Sequence, residues 1–67
     1  PNDADYHFNL GYVLKDRGRY ADAAAAYRTA LSLKPKSAKI NNNLGNVLLL
    51  SGDVDGAVQA LKEAVLR

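Results

Sequence analysis

Cysteine, methionine and tryptophan are all absent from this 67-residue chain. Without cysteine there is no disulfide, no thiolate metal ligand and no thiol nucleophile, and the redox compartment stays open. The one histidine, His7, cannot by itself build a multi-histidine zinc site. Strand signals are missing too: there is no alternating Val/Ile/Thr run and no Asn-Gly hairpin turn. Nine Lys and Arg against seven Asp and Glu leave a net charge of +2. That bias is too weak to imply a nucleic-acid or anionic-membrane partner. The aliphatic run at 47–50 is far shorter than the ~20 residues of a membrane span. A signal-like segment is also lacking, so the compartment is open with the cytoplasm favoured, and the chain, opening on Pro1, reads as a piece of something longer. These absences count against an enzyme: no catalytic residue, cofactor site or metal site is expected.

What is present is helical. Eleven alanines and ten leucines stand against two prolines. Gly18, Pro35 and Gly52 divide the chain into segments at roughly 5–16, 20–33, 38–50 and 54–66. Asn2 or Asp3 can cap the first helix, Ser37 the third and Asp53 the fourth. Asp22 places a carboxylate in the first turn of the second, at the favourable end of its dipole. Gly18 and Gly52 suit the left-handed conformation that ends a helix. Pro35 blocks continuation of the second helix and pushes Lys34 out of helical geometry. Short turns between helices make successive helices antiparallel.

A shift of 34 residues lays 4–33 over 38–67, and ten of the thirty pairs are identical. They are Ala4/Ala38, Asn9/Asn43, Leu10/Leu44, Gly11/Gly45, Val13/Val47, Leu14/Leu48, Gly18/Gly52, Ala23/Ala57, Ala26/Ala60 and Ala30/Ala64. Accident does not align both glycine turns and both Asn-Leu-Gly triplets. The chain is an internal repeat of two helices per unit, unit one at about 4–37 and unit two at about 38–67. Packing accounts for the repeated positions. Leu10, Val13 and Leu14 give the first helix one apolar face, and Gly11 lets the returning helix approach. Ala23, Tyr27 and Ala30 form the facing stripe, and Leu44, Gly45, Leu48, Ala57, Leu61 and Ala64 repeat the scheme.

These residues resemble the tetratricopeptide repeat family. Its spacing stands here as His7–x2–Leu10–Gly11–x2–Leu14, then Ala23–x3–Tyr27, Ala30 and Pro35. The second unit reads Asn41–x2–Leu44–Gly45–x2–Leu48, then Ala57–x3–Leu61 and Ala64. The chain departs where a large aromatic usually opens the motif: polar His7 and Asn41 imply looser packing or exposure at a repeat junction. Leu14 and Leu48 replace a further aromatic and keep its burial. The resemblance implies an all-α fold, two antiparallel helix-turn-helix units stacked as a short right-handed α-solenoid fragment. It implies protein–protein interaction, because the first helices of such units line a concave groove for an extended peptide or partner helix.

Carried onto this chain, the groove comprises Asp5, Phe8, Asn9, Tyr12 and Asp16 from unit one. From unit two it takes Lys39, Asn42, Asn43, Asn46, Leu49 and Leu50. Aromatic platforms add contact area at low entropic cost, and asparagines can bond a peptide backbone without reading its sequence. Asn9 and Asn43 resemble the asparagine ladder of O-linked N-acetylglucosamine transferases, so a substrate-selecting segment of a larger glycosyltransferase-like enzyme is the alternative. Phe8 and Tyr12 stand where the chaperone-tail-binding subgroup presents Lys and Asn, which disfavours a carboxylate clamp. A third reading is self-assembly. Val58, Leu61 and Val65 share a face that this chain leaves uncovered, and Leu49 and Leu50 extend the apolar surface. Homo-oligomers would form through the final helix or by helix exchange about the turns at Gly18, Pro35 or Gly52. Lys34, Lys36 and Lys39 cluster between the units and Arg17 and Arg19 within unit one, as solvated turns. No aromatic interleaves with them as single-stranded nucleic-acid binding would require.

Overall fold

The computed structural model describes residues 3–65. It consists of four helices: α1 (Ala4–Asp16), α2 (Tyr20–Leu33), α3 (Ala38–Ser51) and α4 (Val54–Val65), with no strand among the described residues. The all-α expectation holds, and the helix ends fall within a residue or so of those expected. Asn2, Leu66 and Arg67 lie outside the described residues.

Local chemistry sets these ends. Asp3 Oδ1 accepts the Asp5 N–H at 2.9 Å, Ser37 Oγ accepts that of Ile40 at 3.2 Å, and Asp53 Oδ1 accepts that of Gly56 at 3.0 Å. Each satisfies a donor that a helix N-terminus leaves unpaired. No side-chain cap serves α2; Arg19 instead pairs with Asp22 one turn on, Nη2 to Oδ2 at 2.6 Å. Gly18 and Gly52 adopt φ of 78° and 91°. Both turns are wired alike, the Arg19 N–H donating to the Leu14 carbonyl at 2.9 Å and the Asp53 N–H to that of Leu48 at 2.8 Å. This is the reversal in which a left-handed residue lets the chain bond back across five residues. Pro35 follows two residues after the end of α2, and Lys34 has left helical geometry with φ −135° and ψ 74°.

Each helix packs on its neighbours in sequence, forming a slab of about 30 × 27 × 13 Å. Within each pair the close approach is at glycine. A Cβ built on Gly11 would lie 2.8 Å from Cδ1 and Cε1 of Tyr27, and one on Gly45 would lie 2.6 Å from Cγ of Leu61. Tyr27 is fully buried, whereas Leu61 is half-buried on the last helix and can turn. Gly11→Ala is therefore expected to destabilise the chain by about 1–3 kcal/mol through overpacking. Gly45→Ala is expected to cost less, within about 1 kcal/mol of the parent, because the half-buried Leu61 can move aside and the gain in helix propensity offsets part of that shift. Urea unfolding of the two variants side by side checks the difference.

Comparing the units position by position separates two kinds of burial. Ala23 and Ala57, Ala26 and Ala60, and Gly11 and Gly45 are buried in both units, so the contact inside each helix pair covers them. Leu44 and Val47 are 6% and 0% exposed, but their repeats Leu10 and Val13 are 39% and 48% exposed. The single apolar face expected on α1 is thus divided: Leu14 packs against the core, while Leu10 and Val13 face outward. The reason is topological, since α3 lies between α2 and α4 whereas α1 packs against α2 alone on that side. Asn41 also departs from expectation. Rather than loosening the junction it is 5% exposed, its Nδ2 donating to the Ser37 carbonyl at 3.3 Å. Its repeat, His7, is half-buried beside Tyr6, ring centroids 5.2 Å apart and nearly perpendicular.

Candidate partner-binding groove

The residues expected to line a groove lie on α1 and α3 at helical spacing. Residues 5, 8–9, 12 and 16 repeat in unit two as 39, 42–43, 46 and 50. On α1 the core claims Ala4, Gly11 and Leu14 and the outward end face holds Leu10 and Val13, so Asp5, Asn9, Tyr12 and Asp16 occupy a third, exposed side. On α3, Lys39, Asn42, Asn46, Leu49 and Leu50 are exposed and Asn43 is half-buried.

One contact joins the units across this side and a second lies within unit one. Lys39 Nζ lies 4.7 Å from the centroid of the Phe8 ring, and Lys34 Nζ lies 3.9 Å from Asp5 Oδ1. Exposed as it is, the second pair adds little stability. The cation over the ring is worth about 0.5–1 kcal/mol at such a site. Phe8 is not a free platform: it is half-buried, and its ring sits 5.6 Å from that of Tyr27 at 49°. Tyr12 is the open aromatic, about half exposed, with Lys15 Nζ 4.6 Å from its ring centroid. Nothing in the repeat pattern marks Lys15; the spacing of three residues from Tyr12 on an exposed side is the signal that would have found it.

The asparagines differ in how far they are committed. Asn43 Nδ2 donates to the Lys39 carbonyl one turn back at 2.9 Å. That bond orients the amide and leaves its carbonyl oxygen as an acceptor. Leu49 and Leu50 are 48% and 57% exposed, and with Tyr12 they make the most open apolar part of this side. Beneath it, burial pushes the Tyr27 phenol upward, with Tyr12 and Asp16 adding to the effect. Its hydroxyl is buried with no hydrogen-bond partner among the described residues.

A separate cleft of about 300 Å³ opens between α2 and α4 over α3, lined by residues including Arg28, Asn41, Leu44 and Glu63. The repeat pattern does not signal it. Among the described residues no three His, Asp or Glu side chains gather as a metal site, and no helix is long and apolar enough to cross a membrane.

Helix pairs stacked so that each covers the next, with one side of the first helices left polar and open, define an α-solenoid. The chain belongs to the tetratricopeptide repeat family, whose sequence model matches residues 8–67. It is 47% identical over 47 residues to the protein O-mannosyl-transferase TMTC1 of Homo sapiens, covering 70% of this chain and 5% of that protein. It is 40% identical over 57 residues to the lipoprotein NlpI homolog of Haemophilus influenzae, 85% of this chain and 18% of the relative. It is also 34% identical over 64 residues to the TPR repeat-containing thioredoxin TTL4 of Arabidopsis thaliana, 96% of this chain and 9% of the relative. The chain therefore spans a small fraction of each relative's length.

Proposed function

We propose that this chain is a protein-interaction unit that takes an extended peptide or a partner helix along the side formed by α1 and α3. The observation that carries the reading is the open Tyr12–Leu49–Leu50 surface set among Asn9, Asn42, Asn43 and Asn46. Apolar contact supplies affinity while the amides bond a peptide backbone. Family membership supports protein partners in general. Selection of random 12-residue peptides displayed on phage against the immobilised chain tests it. Bound peptides should lose roughly 5–30-fold in affinity on Tyr12→Ala or Leu50→Ala, the range of an interface anchor. Peptides that bind a Tyr12→Ala/Leu49→Ala/Leu50→Ala chain as tightly as the parent would refute the reading.

A second reading is favoured by one specific likeness, that to an O-mannosyl-transferase. Here the chain is a substrate-selecting segment of a larger glycosyl-transferring enzyme, and the repeated Asn9 and Asn43 hold the acceptor polypeptide's backbone. The readings separate on the double variant Asn9→Ala/Asn43→Ala. It should abolish capture of extended polypeptide in the second and weaken it only in part in the first, where Asn42, Asn46 and the apolar Tyr12–Leu49–Leu50 contact remain.

A further inference from the structure

The cleft of about 300 Å³ between α2 and α4 lies on the side of α3 away from the candidate groove. Its floor residues Asn41, Leu44 and Leu48 fall opposite Lys39, Asn42, Asn46 and Leu50 around that helix. All three walls belong to helices packed on one another, α2 on α3 and α3 on α4, and the exposed valines of α4 (Val54, Val58 and Val65) take no part. α3 and α4 run antiparallel, and Gly45 meets Ala57 and Leu61. That register sets Asn41 level with Glu63, Leu44 with Ala60 and Leu48 with Gly56. The short turn at 34–37 brings Arg28 of α2 to the Asn41 half as well. One end of the cleft is therefore polar and the other apolar.

The polar end is unusual in what it leaves unpaired. Asn41 is 5% exposed, and its Nδ2 is committed to the Ser37 carbonyl at 3.3 Å. A carbonyl only accepts, so this bond fixes which amide atom turns away from it. The outward atom is Oδ1, an acceptor with no partner among the described residues. It is not sealed in the core as the Tyr27 hydroxyl is, so a donor can reach it through the cleft. Arg28 forms no ion pair among the described residues, and Glu63, which already has a partner, brings negative charge to the same end. Asn41 also stands where a large aromatic usually opens the repeat, and the smaller amide leaves room over Leu44.

From this division we propose that the cleft binds a free α-amino acid with a large apolar side chain, such as leucine or phenylalanine. The carboxylate lies against the Arg28 guanidinium, whose planar fork matches a two-oxygen anion. The ammonium, three donors and no acceptor, meets Asn41 Oδ1, with the Gln59 side chain at the rim. The apolar side chain covers Leu44, Leu48 and Ala60, and that burial supplies most of the affinity. A buried acceptor left without a donor is costly, so Asn41 selects a ligand that carries N–H beside its carboxylate. The volume is at the low end of the range for ligand pockets, which suits a small metabolite. The site is on the face opposite the groove and stands whether or not the groove takes a peptide.

Amide chemical shifts of the isotope-labelled chain, followed by NMR as L-phenylalanine or L-leucine is added, test it. Shifts at Leu44, Leu48, Gly56 and Ala60 should saturate with a Kd of roughly 0.3–10 mM. L-Alanine, which lacks the apolar group, should bind at least ~10-fold more weakly. N-acetyl-L-phenylalanine loses the ammonium and L-phenylalaninamide the carboxylate, and each should bind roughly 5–10-fold more weakly. Arg28→Gln, exposed on α2 and so harmless to the fold, should weaken L-phenylalanine roughly 3–10-fold without weakening the amide. Asn41→Phe should fill the space and abolish binding. The absence of any saturable shift up to about 20 mM would overturn the proposal. So would shifts centred on Tyr12, Leu49 and Leu50, which would put the ligand in the groove. Acetylated ligand binding as tightly as the free one would make the occupant a polypeptide C-terminus, and equal binding of the amide a polypeptide N-terminus; either outcome rules out the free amino acid. Unchanged affinity in Arg28→Gln would overturn it as well.

Discussion

Val47→Asp is expected to leave the chain unfolded at room temperature, whereas Val13→Asp, the same exchange 34 residues earlier, should keep its helicity. Val47 is fully buried between helix pairs, and Val13 is 48% exposed on the end face of α1. A carboxylate at 47 would have to remain charged in an apolar core or take up a proton, and either way the folded state loses about 3–5 kcal/mol. A single core in a chain below 70–80 residues rarely supplies more than about 3–5 kcal/mol in total. At 13 the carboxylate stays in water, and the loss is limited to helix propensity, a few tenths of a kcal/mol. Circular dichroism reads both outcomes. Equal effects would mean that the exposure of α1's outer face is wrong.

Tyr27→Ala is the second large effect. The ring is fully buried, seats on Gly11 and packs against Phe8, so its removal leaves a cavity at the centre of unit one. A loss of about 3–5 kcal/mol is expected, enough to unfold the chain. Tyr27→Phe should act in the opposite direction. The hydroxyl is buried without a partner among the described residues, and removing an unsatisfied polar group restores up to about 1 kcal/mol. The phenol's ionisation gives a further signature. Burial raises its pKa above the usual value of 10.0, so the folded state favours the neutral form. Its contribution is whole below pH 10 and is lost as the pH rises through the folded-state value. Tyr27→Phe should flatten the fall in stability above pH 10, a difference that thermal melts at pH 7 and pH 10.5 would show. Identical alkaline melts for parent and variant would contradict the burial of the hydroxyl.

The candidate groove is only partly legible in the sequence. Helical spacing puts Asp5, Asn9, Tyr12 and Asp16 on one side of the first helix, and the repeat carries that side to the third. Periodicity does not say that Phe8 belongs half to the core, because that depends on the Tyr27 ring arriving from the neighbouring helix. Nor does it say that Lys34, in the turn after α2, and Lys39, at the start of α3, reach Asp5 and Phe8 on α1, which needs the turn between the units to lie beside α1. Being polar, Asn41 reads in the sequence as a loose point. The Ser37 carbonyl one turn back receives its amide and allows it to be buried.

The sequence by itself determines what is local or repeated. The helix ends follow from Asp3, Ser37 and Asp53 as acceptors for free N–H groups, and from Gly18 and Gly52, which enter left-handed geometry at little steric cost. The period of 34 and the glycine seats at 11 and 45 follow from the aligned residues. Tertiary structure alone decides which copy of a repeated residue is inside. Leu10 and Leu44, or Val13 and Val47, have the same side chain on the same helical face, so no local preference can tell them apart. Burial is a property of what stands opposite. In a stacked array a residue acquires a neighbour only from the next helix pair, and within this chain α3 has one on each side where α1 and α4 do not.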